Sequence, residues 1–254
     1  MLPPIRPSFI LTDLVGGARV ADCVYPAGFR YPPHVDGRAR ISVVLRGGLR
    51  EETRRGDETA TASSVVVKPA DARHQNLFGP VGARLLSVDL APAHLDGALG
   101  GWRWLHAGPT AAAALRLARA VHERPEEAAD DLWALLAAVL PPPSREPTAV
   151  APWLAQARER MDDEPTAAPS VAALAADADV HPVSLARAFR RAFGVAPTTY
   201  RRRLRVRVAA DLLASTDAPA AHVALDAGFA DQSHLCRELR AELGLTPGQL
   251  RALA

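Results

Sequence analysis

The chain is poor in several features that would otherwise fix its class. Cysteine occurs twice, at Cys23 and Cys236, too few and too far apart to read as a disulfide framework. No apolar run reaches the roughly 18 residues of a membrane span. The opening MLPPIRPSF lacks the apolar centre of a signal peptide. These absences lead to the expectation of a reduced, cytoplasmic protein with no membrane partner. Lysine is nearly missing as well: Lys68 is the only one, so every other positive charge is an arginine. Coding bias accounts for that choice, yet it gives each basic contact a planar, permanently charged fork. The formal net charge is only +2, which excludes any argument about partners from whole-chain charge.

What is present describes a folded protein. Hydrophobic residues at 48% with 23% charged residues exclude wholesale disorder. A length of 254 residues suits two ordinary domains. From residue 1 to about 105 the chain reads as short strands, among them 41–45 (ISVVL), 63–68 (SSVVVK) and 83–90 (ARLLSVDL). Gly47-Gly48, Gly56-Asp57, Pro69 and Gly79-Pro80 punctuate them, a spacing expected of a β-sandwich or barrel. Residues 109–140 turn to alanine and leucine with helical spacing. Leu132, Leu135, Leu136 and Val139 form one apolar stripe. This places a first domain at 1–140, a proline-rich linker at 141–148 and an all-helical domain at 149–254. The expected class is α+β with two domains.

The helical domain contains an internal repeat. Leu185, Arg187, Phe189 and Arg190 recur as Leu235, Arg237, Leu239 and Arg240, and Gly194 and Pro197 recur as Gly244 and Pro247, all at an offset of 50. Each copy reads as a short helix, a tight turn and a second helix. Gly228 supplies the positive φ such a turn favours, while Asp179 in the first copy tolerates it less well. In the second helices, Leu185 and Phe189, or Leu235 and Leu239, point inward at i and i+4. The opposite faces carry Ser184, Arg187 and Arg191, then Gln232, Ser233, Arg237 and Arg240. Arginine can contact guanine bidentately and glutamine can contact adenine, so these faces are candidate base readers. Between His181 and Ala210 stand eight arginines and no acidic residue, among them Arg201, Arg202, Arg203, Arg205 and Arg207. Arginines on a connecting helix suit phosphate contact. The plainer alternative is a solvated basic face, and it explains any single arginine better than it explains the repeat.

Residues 181–205 (HPVSLARAFRRAFGVAPTTYRRRLR) and 226–251 (DAGFADQSHLCRELRAELGLTPGQLR) resemble the two halves of the AraC/XylS family of transcription regulators. His181 departs from the small residue common at that cap position, which weakens the first capping signal. The resemblance implies a sequence-specific regulator, not an enzyme, whose two recognition helices enter successive major grooves. It implies base contacts from Ser184, Arg187, Gln232, Ser233 and Arg237, and backbone contacts from Arg191, Arg201, Arg202, Arg205 and Arg240. Double-stranded DNA and RNA polymerase are the implied partners, with a small-molecule effector and a homodimer as further expectations and no cofactor. Members of this layout carry a cupin-like first domain. Gly28 with His34, and Pro69 with His74, resemble parts of the two cupin motifs, although Asp36 replaces a histidine there. His34, Asp36 and His74 are therefore the candidate ligand pocket. Two histidines and a carboxylate can hold iron, but the expected reading is no metal. The alternatives are a metal-dependent cupin enzyme with a helical appendage, or a repair enzyme, which would need a reactive cysteine.

Overall fold

In a computed structural model, the protein is described over residues 9–12, 17–54, 56–90, 99, 101–140 and 150–254. The linker expected at 141–148 lies outside these residues. The first half is one antiparallel sheet built from β1 (Phe9–Thr12), β2 (Arg19–Tyr25), β3 (Arg30–Val35), β4 (Arg40–Thr53), β5 (Gly56–Ala60), β6 (Val65–Lys68), β7 (Arg73–Asp89) and β8 (Arg103–Leu105). Its main path runs β1-β2-β7-β4-β6-β8, with β3 on β7 and β5 on β4.

The two long strands carry the architecture. Arg40–Val44 pairs with Asp89–Leu85, and Leu49–Thr53 pairs with Phe78–His74, with register shifts between. There the sheet folds over. Gly47 and Gly82 both have positive φ, and a Cβ on Gly47 would stand 2.1 Å from the Gly82 carbonyl oxygen. Only glycine permits that approach. On one face Ile41, Val43, Leu45, Leu86 and Val88 are buried, and on the other Val44, Leu49, Phe78 and Leu85, the alternation a pleated strand imposes.

Helices α1 (Pro109–Glu123) and α2 (Ala128–Val139) follow the sheet, joined by a single 3-10 turn at Pro125–Glu127. Their inward stripe, Leu115, Leu117, Leu132, Leu135 and Val139, packs on the first sheet face. Trp133 stays 57% exposed.

The C-terminal part comprises α3 (Pro152–Asp163), α4 (Val171–Asp177), α5 (Pro182–Phe193), α6 (Pro197–Ser215), α7 (Ala220–Asp226), α8 (Gln232–Leu243) and α9 (Pro247–Leu253). Prolines open α3, α5, α6 and α9, where the missing N–H costs nothing. The hydrophobic core divides this region unequally. Leu154, Met161, Leu174, Leu185, Phe189 and Leu204 form a cluster of their own. By contrast Val206, Leu213, Val223, Leu235, Leu239 and Leu250 belong to the same cluster as the sheet and α1. The second half of the helical region is thus fused to the β domain, and α6 bridges from it to the first half.

Candidate nucleic-acid interface and ligand pocket

Both helix-turn-helix units are built by the same local rules. Ser170 caps α4 by accepting from the Ala173 N–H, and Asp231 caps α8 by accepting from the His234 N–H. His181 caps α5 as well: its ring Nδ1 accepts from the Val183 N–H at 3.2 Å. The weak cap expected from the sequence is therefore present, made by an imidazole instead of a hydroxyl. Gly194 and Gly244 end the two second helices in the left-handed conformation.

The turns also match. Val180 N–H bonds to the Ala175 carbonyl, and 49 residues on Phe229 N–H bonds to that of Ala224. The recognition helices themselves begin 50 residues apart, at Pro182 and Gln232, so the second turn holds one extra residue. Asp179 adopts φ +52° where Gly228 adopts +79°, and the aspartate takes the conformation it was expected to tolerate less well.

The reader candidates emerge on one kind of surface. Ser184 and Arg187 on α5, and Gln232, Ser233 and Arg237 on α8, are all exposed, while Leu185, Phe189, Leu235 and Leu239 are fully buried. Arg191 and Arg240 are exposed as well. The other backbone candidates are placed differently. Arg202 is engaged by α8: its Nε lies 3.0 Å from Glu242 Oε1 and 3.2 Å from Glu238 Oε2. Arg201 and Arg205 are half-buried on α6, and burial followed by the neighbouring Arg205 charge lowers the pKa of Arg201. Arg205 lies beside the turn at Gly228, where an added Cβ would be 3.3 Å from its Nε. Sequence periodicity puts all these arginines on one helix; it does not show which of them have acidic partners.

In the β domain, β3 and β7 bring His34, Asp36 and His74 together, their ligand atoms all within 4.8 Å of one another. His34 Nδ1 donates to the Pro32 carbonyl and His74 Nδ1 to that of Ala72, so both Nε2 lone pairs are available. Lys68 intervenes. Its Nζ is 3.3 Å from His74 Nε2 and 2.5 Å from Glu51 Oε1, and it stands 5.1 Å from the centre of the Trp102 ring. Burial, then Lys68, pushes the His74 pKa down to about 4. An ammonium already directed at one of three ligand atoms does not suit a divalent ion beside it, so this set does not fit a metal. Asp36 instead pairs with Arg40 at 3.2 Å.

The large cavity lies elsewhere. It measures about 780 Å³ and opens between the sheet and the first helix-turn-helix unit. Glu51, Trp102 and Trp104 line it from the β domain, and Phe193, Tyr200 and Arg207 from the helices. None of His34, Asp36 and His74 lines it. From sequence, Arg207 counts among the arginines suited to phosphate contact, and Lys68 and Glu51 are not picked out as site residues. The one visible signal was a single lysine in a chain that otherwise uses arginine.

Comparison with known proteins adds the following. Residues 174–252 match the family model of a helix-turn-helix domain. The DNA-binding domain of AdpA, a global transcriptional factor solved in complex with a target DNA, is 29% identical, and the match covers 40% of this chain and 92% of that one with a TM-score of 0.38. A transcriptional regulator with an AraC-type DNA-binding domain from Chromobacterium violaceum is 28% identical over 40% of this chain and 90% of that one, with a TM-score of 0.38. ToxT from Vibrio cholerae is 10% identical over 92% of this chain and 98% of that one, with a TM-score of 0.39. No curated protein sequence matches the chain.

Proposed function

We propose that this chain, whose residues 174–252 form a helix-turn-helix domain of the AraC/XylS type, is a DNA-binding transcription regulator that reads a specific operator with both of its units. The observation that carries the reading is the equivalence of the two units. Each presents a capped, glycine-terminated second helix with buried apolar residues on one side and exposed arginine and hydroxyl or amide side chains on the other. Two such readers on one chain suit two neighbouring major-groove segments about one turn apart.

Within this reading Ser184, Arg187, Gln232, Ser233 and Arg237 contact bases. Arg191 and Arg240 contact phosphate, being exposed and without an ion pair among the described residues. Arg201 and Arg205 stand deeper and support the phosphate contact from α6. The first unit offers fewer hydrogen-bonding readers than the second, so most of the discrimination falls to α8. The domain at 1–140 receives a small-molecule effector, with His34, Asp36 and His74 as one polar site. RNA polymerase and a second copy of the chain complete the partners. Among the described residues no helix is long and apolar enough to cross a membrane.

The test is a salt-resolved fluorescence anisotropy titration against the DNA upstream of the coding sequence and against a scrambled duplex. A preference of about 10³ or more that persists at physiological salt supports specific recognition. Absence of binding to either duplex at low salt overturns the regulator reading.

A further inference from the structure

We propose that Lys68 is the built-in cation of the His34, Asp36 and His74 cluster, standing where a divalent ion would bind, and that its removal uncovers a zinc site. The proposal is independent of the regulator reading.

The cluster sits where the folded sheet closes on itself. His34 faces His74 across β3 and β7, and Glu51 faces Asn76 across β4 and β7. Lys68 belongs to the other half of the sheet, since its register partner on β4 is Arg40. Its side chain crosses over and ends among Glu51, His74 and Trp102. The ammonium is engaged in three directions there: towards Glu51 Oε1, towards the His74 Nε2 lone pair and over the indole face. The Lys68 and Glu51 side chains are 7% and 0% exposed. One buried cation thus ties β4, β6 and β7 together, the task a structural metal ion performs elsewhere.

The groups around it are those that metals use. Both imidazoles hold their Nδ1 protons on backbone carbonyls, the arrangement that orients a metal-ligating histidine. With Asp36 they form a set of two histidines and one carboxylate, the ligand atoms all within 4.8 Å. Two further signs point to a cation. Asp36 Oδ2 and Glu51 Oε2 are buried atoms with no hydrogen-bond partner among the described residues, and carboxylate oxygens taken out of water need positive charge close by.

Charge decides which cation holds the place. Asp36 shares Arg40 with Asp89, while Glu51 has Lys68. A divalent ion added beside the ammonium meets repulsion in a poorly screened site. One that replaces it meets two imidazoles and two carboxylates. The choice of lysine fits this role. Every other Lys or Arg position in the chain is arginine, but a planar guanidinium fork does not send its donors in the three directions a compact ammonium reaches.

Isothermal titration calorimetry of the untagged, chelator-treated full chain with zinc chloride tests the proposal, and cobalt(II) in place of zinc reports the ligand geometry through its visible absorption. Lys68→Ala is expected to take up one zinc per chain, about a hundredfold or more tightly than the wild type does. Adding His74→Gln to Lys68→Ala should weaken zinc by about tenfold or more, because even the loss of a ligand's outer partner costs that much. Zinc should raise the melting temperature of Lys68→Ala and leave that of the wild type unchanged. Lys68→Ala strands the Glu51 charge, so Lys68→Ala/Glu51→Gln, which removes both charges of the pair, carries the same comparison if the single variant does not fold. Zinc held as tightly by the wild type as by the variants, no uptake by the variants, or uptake indifferent to His74→Gln overturns the proposal.

Discussion

Arg203 donates through Nε to Glu242 Oε2 at 3.0 Å, and the same guanidinium lies where a Cβ on Gly108 would meet its Cζ at 2.9 Å. One arginine on the connecting helix thus holds the second recognition helix and packs against the start of α1. Glu242 is 5% exposed and also accepts from Arg202. Removing it leaves Arg203 without its carboxylate and Arg202 with Glu238 alone. Glu242→Ala is expected to lower unfolding stability by about 1–3 kcal/mol, with Glu242→Gln intermediate. Urea denaturation reads the effect, and an unchanged midpoint in the alanine variant would show that the pairs contribute nothing.

Reader and anchor differ in what they do to specificity. Arg237→Ala is expected to cost about 1–3 kcal/mol on the cognate site and to relax one base position. Arg240→Ala should weaken cognate and scrambled DNA alike and reduce the salt slope by about one. Anisotropy over a series of single-base operator variants distinguishes them, and identical behaviour of the two mutants contradicts the assignment. Arg202→Ala is expected to act on stability more than on the salt slope, because its guanidinium already serves Glu242 and Glu238.

His74 links the polar cluster to acid stability. Its pKa lies near 4 in the folded chain, chiefly through burial, against about 6.5 for an unperturbed histidine. The folded state therefore binds fewer protons than the unfolded state between those values, and stability rises with pH there. The contribution is complete above about pH 6.5 and is lost progressively as the pH falls toward 4. It amounts to roughly 2–3 kcal/mol. His74→Gln should flatten the dependence of the urea midpoint on pH across that window. A variant with the wild-type slope would place the acid sensitivity elsewhere.

Gly47→Ala should be among the most damaging small changes in the β domain. The position combines φ +68° with a Cβ contact of 2.1 Å to the Gly82 carbonyl oxygen, where no flexible side chain can give way. A loss of about 3 kcal/mol or more is expected. Gly37→Ala, with open space around it, serves as the control in the same thermal melts. Equal melting temperatures for the two variants would refute the close approach.

The recognition units were legible in the sequence because everything that defines them is local. Leu185 with Phe189, and Leu235 with Leu239, are set by the helix period. Gly194 and Gly244 mark the ends by their backbone preference, and the 50-residue offset ties the two copies together. The strands around Ile41, Val65 and Leu86 were legible from β-branched runs and turn residues in the same way.

Only the tertiary structure decided which charges were already in use. Arg202 and Arg207 stand five positions apart on one helix and look alike in sequence, yet one is held by Glu242 and the other faces a cavity. Glu51 and Lys68 meet although the β4–β6 register sets Lys68 beside Arg40, and Trp104 faces Tyr200 across a gap that no local pattern encodes. Helix period and capping act over one or two turns of chain, so the sequence by itself determined which face of α5 and of α8 is buried and which is exposed. Ion pairing, burial and cavity shape depend on contacts between segments far apart in sequence, so which charges pair and where the cavity opens were settled by the fold.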